Sequence, residues 1–352
     1  VLKRSVRRTR EGEHTTRLRP GTVLLALVVL LVVCVFAVVA GSGELGWQRV
    51  LAEIVAQVTG TTSPLSEREA AIIWELRVPR VLLAGIVGAA LASAGAAFQG
   101  VFRNPLADPY LLGAAAGAGM AATLVMVLAP VVTTWLVVPV PLAAFAGALG
   151  GVGLSWALGR SAGTGTATLL LAGVAVTAFL TAVQTFVQQL NTETLKQVYT
   201  WTLGGLNVSG WTDVWLALPY VAVASVVLCV CARLLDVLAL GDAEAASLGL
   251  RPGLLRLVLL GAASLATAAA VAVSGLIGFV GIVVPHIVRL LAGASYRVIV
   301  PLSLIGGAAF LIGADYVART AMPGELPLGV VTAFAGAPFF AIVLRTSKGR
   351  AL

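Results

Sequence analysis

The sequence predicts an all-α integral membrane protein of about ten transmembrane helices, carrying a weak internal repeat of inverted sense. Three observations support this. The mean hydropathy is +1.01, with 59% apolar and only 11% charged residues, a composition of polytopic membrane proteins. Apolar runs long enough to cross a bilayer as helices fall at 22–40, 79–98, 109–128, 135–158, 166–188, 212–234, 254–274, 276–292, 299–318 and 328–345. With the first residue inside, most of the 23 basic residues lie on the inner side: the arm up to Arg19, then Arg103, Arg160, Arg233, Arg251, Arg256, Arg289, Arg297, Arg345, Lys348 and Arg350. Arg49, Arg68, Arg77, Arg80, Lys196 and Arg319 are left outside, as the positive-inside rule requires.

Taken in order, residues 1–20 form a basic inner arm. The run 22–40 is too long for a signal-peptide core and reads as a retained first span. Trp47, Val50, Leu51, Ile54, Val55 and Val58 recur at helical spacing, the stripe of an amphipathic helix lying along the outer interface. Ser66 and Glu69 form a capping-box pattern ahead of a second short helix that leads to Arg77-Val-Pro-Arg80. Asn104-Pro-Leu-Ala-Asp-Pro109 packs an asparagine and two prolines into a tight inner turn. The pairs Gly113/Gly117 and Gly147/Gly151 allow close approach of helix backbones.

Between two membrane-length stretches lies Leu240-Gly-Asp-Ala-Glu-Ala-Ala-Ser-Leu-Gly249. Asp242 is expected to cap a short helix by accepting from its first-turn N–H groups, Gly249 to close it in the left-handed conformation, and Pro252 to prevent continuation. A helix this short is unstable alone in water, so it needs a surface to lean on, either its own domain or a docked partner. Further on, Pro285-His286 stands where a helix would break, and a bond from His286 to a freed carbonyl is preferred over a proton relay. Asp315 and Arg319, at i and i+4, read as a helix-end ion pair. Residues 347–352 are an inner tail.

The repeat rests on three echoes. Gly95 precedes Asn104-Pro105 as Gly275 precedes Pro285-His286, Leu112-Gly-Ala114 is answered by Leu291-Ala-Gly-Ala294, and Gly173-Val-Ala-Val-Thr-Ala-Phe179 by Gly329-Val-Val-Thr-Ala-Phe334. The second and seventh runs enter from opposite sides, which makes such a repeat inverted, a common transporter plan.

Several function classes are excluded. No lysine among Lys3, Lys196 and Lys348 follows a glycine, so there is no phosphate-binding GxxxxGK[ST] loop. The third, fourth and fifth runs hold no ionisable side chain, against the carboxylates or histidines of an ion-coupled carrier. Cys34, Cys229 and Cys231 sit in apolar runs without ligand spacing, so they read as buried thiols and no metal site is expected. The net charge of +8 is a topology signal, and nucleic acid is not an expected partner. With only His14 and His286, no catalytic constellation can be assembled.

Taken together, the motifs resemble the iron-siderophore, haem and vitamin B12 permease family, the membrane subunits of type II binding-protein-dependent ABC importers. The resemblance runs through Leu76-Arg-Val-Pro-Arg80, Gly88-Ala-Ala-Leu-Ala-Ser-Ala-Gly95, Gln99 and Arg103-Asn-Pro-Leu-Ala-Asp-Pro109 with Leu112-Gly113. It continues through Trp201-Thr-Leu-Gly-Gly-Leu206, the 240–249 segment and Gly278-Phe-Val-Gly-Ile-Val-Val-Pro-His-Ile-Val-Arg289, then Pro301, Ala314-Asp315, Arg319, Glu325-Leu-Pro327 and Gly336-Ala-Pro-Phe339.

The resemblance implies a ten-helix permease domain over 21–346 in a bacterial plasma (inner) membrane, both termini cytoplasmic. Its implied partners are two ABC ATPase subunits, a second permease copy or paralogue, an extracytoplasmic substrate-binding protein and membrane lipid. It implies no catalysis and no cofactor in this chain, with ATP and Mg held by the ATPase. Segment 241–249 would be the coupling helix, with Asp242, Glu244 and Ser247 as polar elements, Ala245 and Leu248 packing, and Gly249 closing it. Arg77, Arg80 and Arg319 would be the binding-protein docking residues. Thr177, Thr181, Gln184, Thr332 and Phe334 would line the pathway, and Asn104, Pro105, Pro285 and His286 would be structural. Ferric siderophore is the first cargo implied, then haem and cobalamin.

Overall fold

The structure, a computed structural model, describes residues 18–40, 46–128, 139–163, 165–206, 210–322 and 324–348. The basic residues before Leu18, the start of the 135–158 run and the last four residues of the tail lie outside the described residues. Helix α1 (Pro20–Ala40) is followed by α2 (Trp47–Thr59) and α3 (Glu67–Ala71). The latter continues through a π-turn, Ile72–Arg77, into α4 (Val78–Phe102). A 3-10 turn, Pro109–Leu112, introduces α5 (Ala114–Leu128), then come α6 (Val140–Ala162), α7 (Thr166–Leu190) and α8 (Leu195–Thr202). The second half runs α9 (Thr212–Val230), α10 (Ala232–Leu240), α11 (Asp242–Ser247), α12 (Pro252–Ser274), α13 (Val280–Ala292), α14 (Tyr296–Thr320) and α15 (Leu328–Lys348).

Among the described residues, seven helices are long and apolar enough to span a membrane, and three further apolar helices complete the ten expected. Two of those expected spans are corrected. Helix α5 has 15 residues and α13 has 13, about 22 and 20 Å at ~1.5 Å per residue, short of a hydrocarbon core of about 30 Å. The rest of each run is not α-helical, a 3-10 turn in the first and open chain in the second, and a buried backbone outside an α-helix must find partners inside the protein. The two interruptions supply them to one another: the Tyr110 hydroxyl donates to the Ile277 carbonyl (3.1 Å) and accepts from the Ile277 N–H (3.2 Å). The expected 212–234 span is also divided, α9 ending at a turn around Cys231 from which α10 departs.

Helix α4 is buried along most of its length and packs on α9, α12, α13 and α14. Small residues make this closeness achievable where lipid offers no hydrophobic drive for association. A Cβ on Gly88 would lie 2.2 Å from the Gly307 carbonyl oxygen of α14, and a Cβ on Gly307 would lie 2.3 Å from that of Gly88. Gly95 meets the Gly281 carbonyl of α13 as tightly. The expected packing role of the other glycine pairs is realised: Gly117 faces Gly147, and Gly151 faces Gly113, between α5 and α6.

A repeat is visible in the packing. In the quartets α4–α7 and α12–α15 the second helix is the shortest, and the first helix of each packs on the third of the other, α4 on α14 and α12 on α6. Two of the three sequence echoes do not mark equivalent positions, however. Gly95 lies inside α4 whereas Gly275 closes α12, and Gly113 precedes α5 whereas Gly293 follows α13. Alanine- and glycine-rich stretches match one another through restricted composition, so short identities there carry little register information.

Two local expectations change. The helix around Pro285 does not break: α13 runs through it, and the Gly281 carbonyl that proline leaves without its N–H partner accepts from Gln99 Nε2 at 3.1 Å. Gln99, not His286, is therefore the side chain that repairs the helix. His286 packs edge-on against Phe339, centroids 5.7 Å apart. On α2, Val50, Glu53 and Ala56 face the protein, Glu53 accepting from Trp74 Nε1 (3.0 Å) and from the Ser63 hydroxyl, while Trp47, Val55 and Val58 point outward.

Candidate functional site at the two ends of the bundle

Helix α4 connects the two sets of residues singled out by sequence: Arg80 is in its first turn and Arg103 follows its last residue. Its 25 residues span about 37 Å, so the 240–249 segment and the arginine set occupy opposite faces.

On the first face, α11 stands between α10 and α12. Its C-terminus closes as expected. Leu250 N–H bonds to the Ala245 carbonyl (3.1 Å), Gly249 N–H to that of Ala246 (2.9 Å), and Gly249 has φ +80°, the double bond and left-handed residue of a Schellman closure. Its N-terminus differs from expectation. Asp242 makes no cap; its carboxylate instead accepts from the guanidinium groups of both Arg103 and Arg256. Two cations from different elements outcompete neutral first-turn N–H groups for one carboxylate. Arg103 also donates from Nε to the Leu238 carbonyl (3.2 Å), so the short helix is tied to the end of α4, to α10 and to the start of α12. Burial works against the Asp242 charge, but Arg256 and then Arg103 outweigh it and hold the carboxyl below its ordinary range.

The remaining residues of α11 divide by face. Ala245 is fully buried against the chain's own helices, which removes it from the set of partner contacts, and the Ser247 hydroxyl turns back to the Glu244 carbonyl (2.8 Å). Glu244 is exposed, and Leu248 is 65% exposed, an apolar tip at the surface. Next to this helix, Asn104 behaves as its turn chemistry dictates. Its side chain accepts from Leu106 N–H (2.9 Å), its own N–H reaches the Gln99 carbonyl (3.0 Å), and Pro105 follows in the turn. In the same turn Asp108 accepts from Tyr110 N–H (2.8 Å), and burial pushes its carboxyl up to about 6 against that bond.

On the opposite face the structure brings Arg80 and Arg319 together around Asp315. Arg80 donates from Nε (3.1 Å) and Nη2 (2.9 Å) to Asp315, and from Nη1 and Nη2 (both 2.9 Å) to Glu325. Arg319 Nε lies 2.9 Å from Asp315 Oδ2, the helix-end pair expected from its spacing. The side chain of Asp315 is 2% exposed. Arg80 thus spends all three side-chain nitrogens on carboxylates within the chain. The cause is register: Arg80 precedes Gly88 by the interval at which Asp315 follows Gly307, so the antiparallel glycine contact sets the pair opposite one another. Arg77 and Arg319 reach the Val38 and Ala37 carbonyls of α1, both at 3.4 Å.

Of the residues expected along the pathway, Thr181 and Gln184 of α7 line a hollow of about 540 Å³ together with Thr185, Gln188, Lys196 and Tyr199. Gln184 is oriented by a bond from Nε2 to Thr123 (3.1 Å). Thr177 is half-buried farther along α7, and Phe334 on α15 is 77% exposed. Thr332 is fully buried with its hydroxyl on the Gly329 carbonyl (3.1 Å), which takes it off any lining surface. Lys196 and Tyr199 were missed because 195–202 lacks a membrane-length apolar run; continuing the polar period Thr181, Gln184, Gln188 would have led to them.

The comparisons accord with this geometry. The profile of the FecCD transport family matches residues 29–346. The chain is 43% identical over 317 residues to a cobalamin import system permease protein of Halobacterium salinarum, covering 90% of this chain and 84% of that one. It is 38% identical over 279 residues to an iron chelatin transport system permease protein of Helicobacter pylori, covering 79% and 83%. A solved structure described as an inward-facing conformation of a metal-chelate type ABC transporter superposes with a TM-score of 0.81 at 25% identity, covering 93% of this chain and all of that one.

Proposed function

This chain belongs to the FecCD transport family, and from that premise we propose that it is the permease subunit of an ABC importer in which α11 takes mechanical work from a docked ATPase on the cytoplasmic side. The observation carrying the proposal is the construction of α11. Leu248 and Glu244 project outward while Ala245 and the Arg103–Asp242–Arg256 cluster fasten the helix to α4 and α12. A displacement of the exposed tip is therefore delivered to the first helix of each quartet, and these two helices pack on one another. Nucleotide-driven closure of two ATPase subunits would shift the equilibrium between outward and inward access through that linkage. The remaining partners are a second permease subunit across the pathway and an extracytoplasmic binding protein on the Arg80–Asp315 face, where Glu325 stays half-exposed beside the ion cluster.

The cargo is a metal chelate, and the first reading is a ferric siderophore. Threonine, glutamine, tyrosine and Lys196 around the 540 Å³ hollow offer polar contacts and a positive charge to an anionic iron chelate without the grip that would arrest transit. Cobalamin is the second reading, favoured by the name of the Halobacterium salinarum relative.

The test is reconstitution with the ATPase and binding-protein partners, using Leu248→Glu. Expected are loss of transport and of binding-protein-stimulated ATP hydrolysis with an unchanged melting temperature, since the side chain is largely exposed. Undiminished transport by L248E, or transport by the permease alone, would overturn the reading. Titrating the binding protein with ferric siderophores, haem and cobalamin then assigns the cargo by a tenfold preference, about 1.4 kcal/mol.

A further inference from the structure

Where α6 ends and α7 and α12 begin, a hollow of about 490 Å³ opens beside the α11 anchor, lined among others by Trp156, Arg160, Leu169, Leu254, Arg256 and Leu257. We propose that it binds the phosphate of an anionic membrane phospholipid. Arg256 is only 9% exposed and Asp242 engages one of its nitrogens, while its buried Nε has no hydrogen-bond partner among the described residues. A buried guanidinium with an open donor is destabilising unless an anion completes it. Arg160, in the last turn of α6, supplies a second and exposed guanidinium, and no carboxylate among the described residues lines the hollow. Gly165 and Gly253 bring to it the first turns of α7 and α12, neither of which has a side-chain cap, so their partial positive charge adds to that of the arginines.

The walls decide which phosphate. Three leucines and a tryptophan form the apolar part, and Leu254 and Leu257 continue it onto the outer surface at 56% and 46% exposure. A free phosphate or a nucleotide has no use for such walls, whereas a phospholipid sets its acyl chains there and its headgroup against the arginines, as basic pockets between membrane helices do. Because Arg256 also holds Asp242, a seated headgroup would steady the root of α11.

Native mass spectrometry of the full chain in detergent tests this with phosphatidylglycerol, phosphatidylcholine and inorganic phosphate as probes. Phosphatidylglycerol is expected to be retained in preference to phosphatidylcholine. Arg160→Gln should weaken that retention about fivefold, the effect of one basic residue at an anionic surface (~1 kcal/mol), with an unchanged melt. Arg68→Gln, an exposed arginine near the opposite face, should leave retention unchanged. Equal retention of the two lipids, displacement by inorganic phosphate, no effect of R160Q, or an equal effect of R68Q would each overturn the proposal. The assay involves neither ATPase nor cargo, so its failure would leave the transport reading untouched.

Discussion

Replacing Gly307 with alanine probes the contact on which the register of the fold depends. The new methyl carbon would stand 2.3 Å from the Gly88 carbonyl oxygen and 2.5 Å from the Ala92 Cβ, so α4 and α14 must separate by about 1 Å to restore ordinary contact. Overpacking of this kind costs about 1–3 kcal/mol. Against it stands the helical preference of alanine over glycine, up to ~1 kcal/mol, leaving a net loss of up to about 2 kcal/mol. The strain also spreads along the shared register to Arg80 and Asp315, whose 2.9 Å pair has little slack. Gly313→Ala is the control: it lies on the same helix, and a Cβ there meets no heavy atom within 4 Å, so it should be neutral or stabilising by up to ~1 kcal/mol. Thermal unfolding of the two variants in one detergent isolates the packing effect, with G307A below wild type and G313A at or above it. If G307A unfolds at or above G313A, the interlock of α4 and α14 is not what sets this register.

Asp315→Asn keeps the shape but strips Arg80 and Arg319 of their shared anion and should lower stability by about 3 kcal/mol, whereas Glu325→Gln at the half-exposed edge should cost under about 1 kcal/mol; equal melts for the two would refute a buried ion cluster. Asp108→Asn tests pH dependence. Burial raises the folded carboxyl to about 6 from its ordinary 3.8, so the stability of the wild type is least affected below about pH 4 and is eroded as pH rises through 6. D108N should therefore match wild type near pH 4 and exceed it by about 1–2 kcal/mol at pH 8, the shift being discounted for the partial exposure of the carboxyl. Melts measured across that range check it, and a gap independent of pH would show that Asp108 is not buried in charged form.

Much of the site was legible before any geometry. The Gly249 closure follows from the left-handed conformation that glycine alone enters freely, and the Asn104 turn from a side chain that bonds its own backbone two residues on. The Asp315–Arg319 pair follows from helical spacing, and the facing of Gly113/Gly117 with Gly147/Gly151 from the need of membrane helices for small contact residues. What escaped depends on partners distant in the chain. Asp242 has everything an N-cap requires, and only the arrival of Arg103 from the end of α4 and Arg256 from α12 redirects its carboxylate. Pro285 announces a broken helix, and only Gln99, reaching across from α4, supplies the donor that lets the helix continue. Arg80 reads as an exposed cation until the glycine contact with α14 brings a buried carboxylate opposite it.

A membrane-length apolar period, charge asymmetry between loops and local turn chemistry act over a few residues or in bulk, and so the spans, the protruding short helix and the family were written into the chain in one dimension. Which charges are spent inside the fold, which face of α11 is left for a partner, and how two interrupted helices satisfy one another through Tyr110 and Ile277 depend on helix register in three dimensions. That register is set by backbone contacts at glycines, which have no side chain with which to advertise their partner.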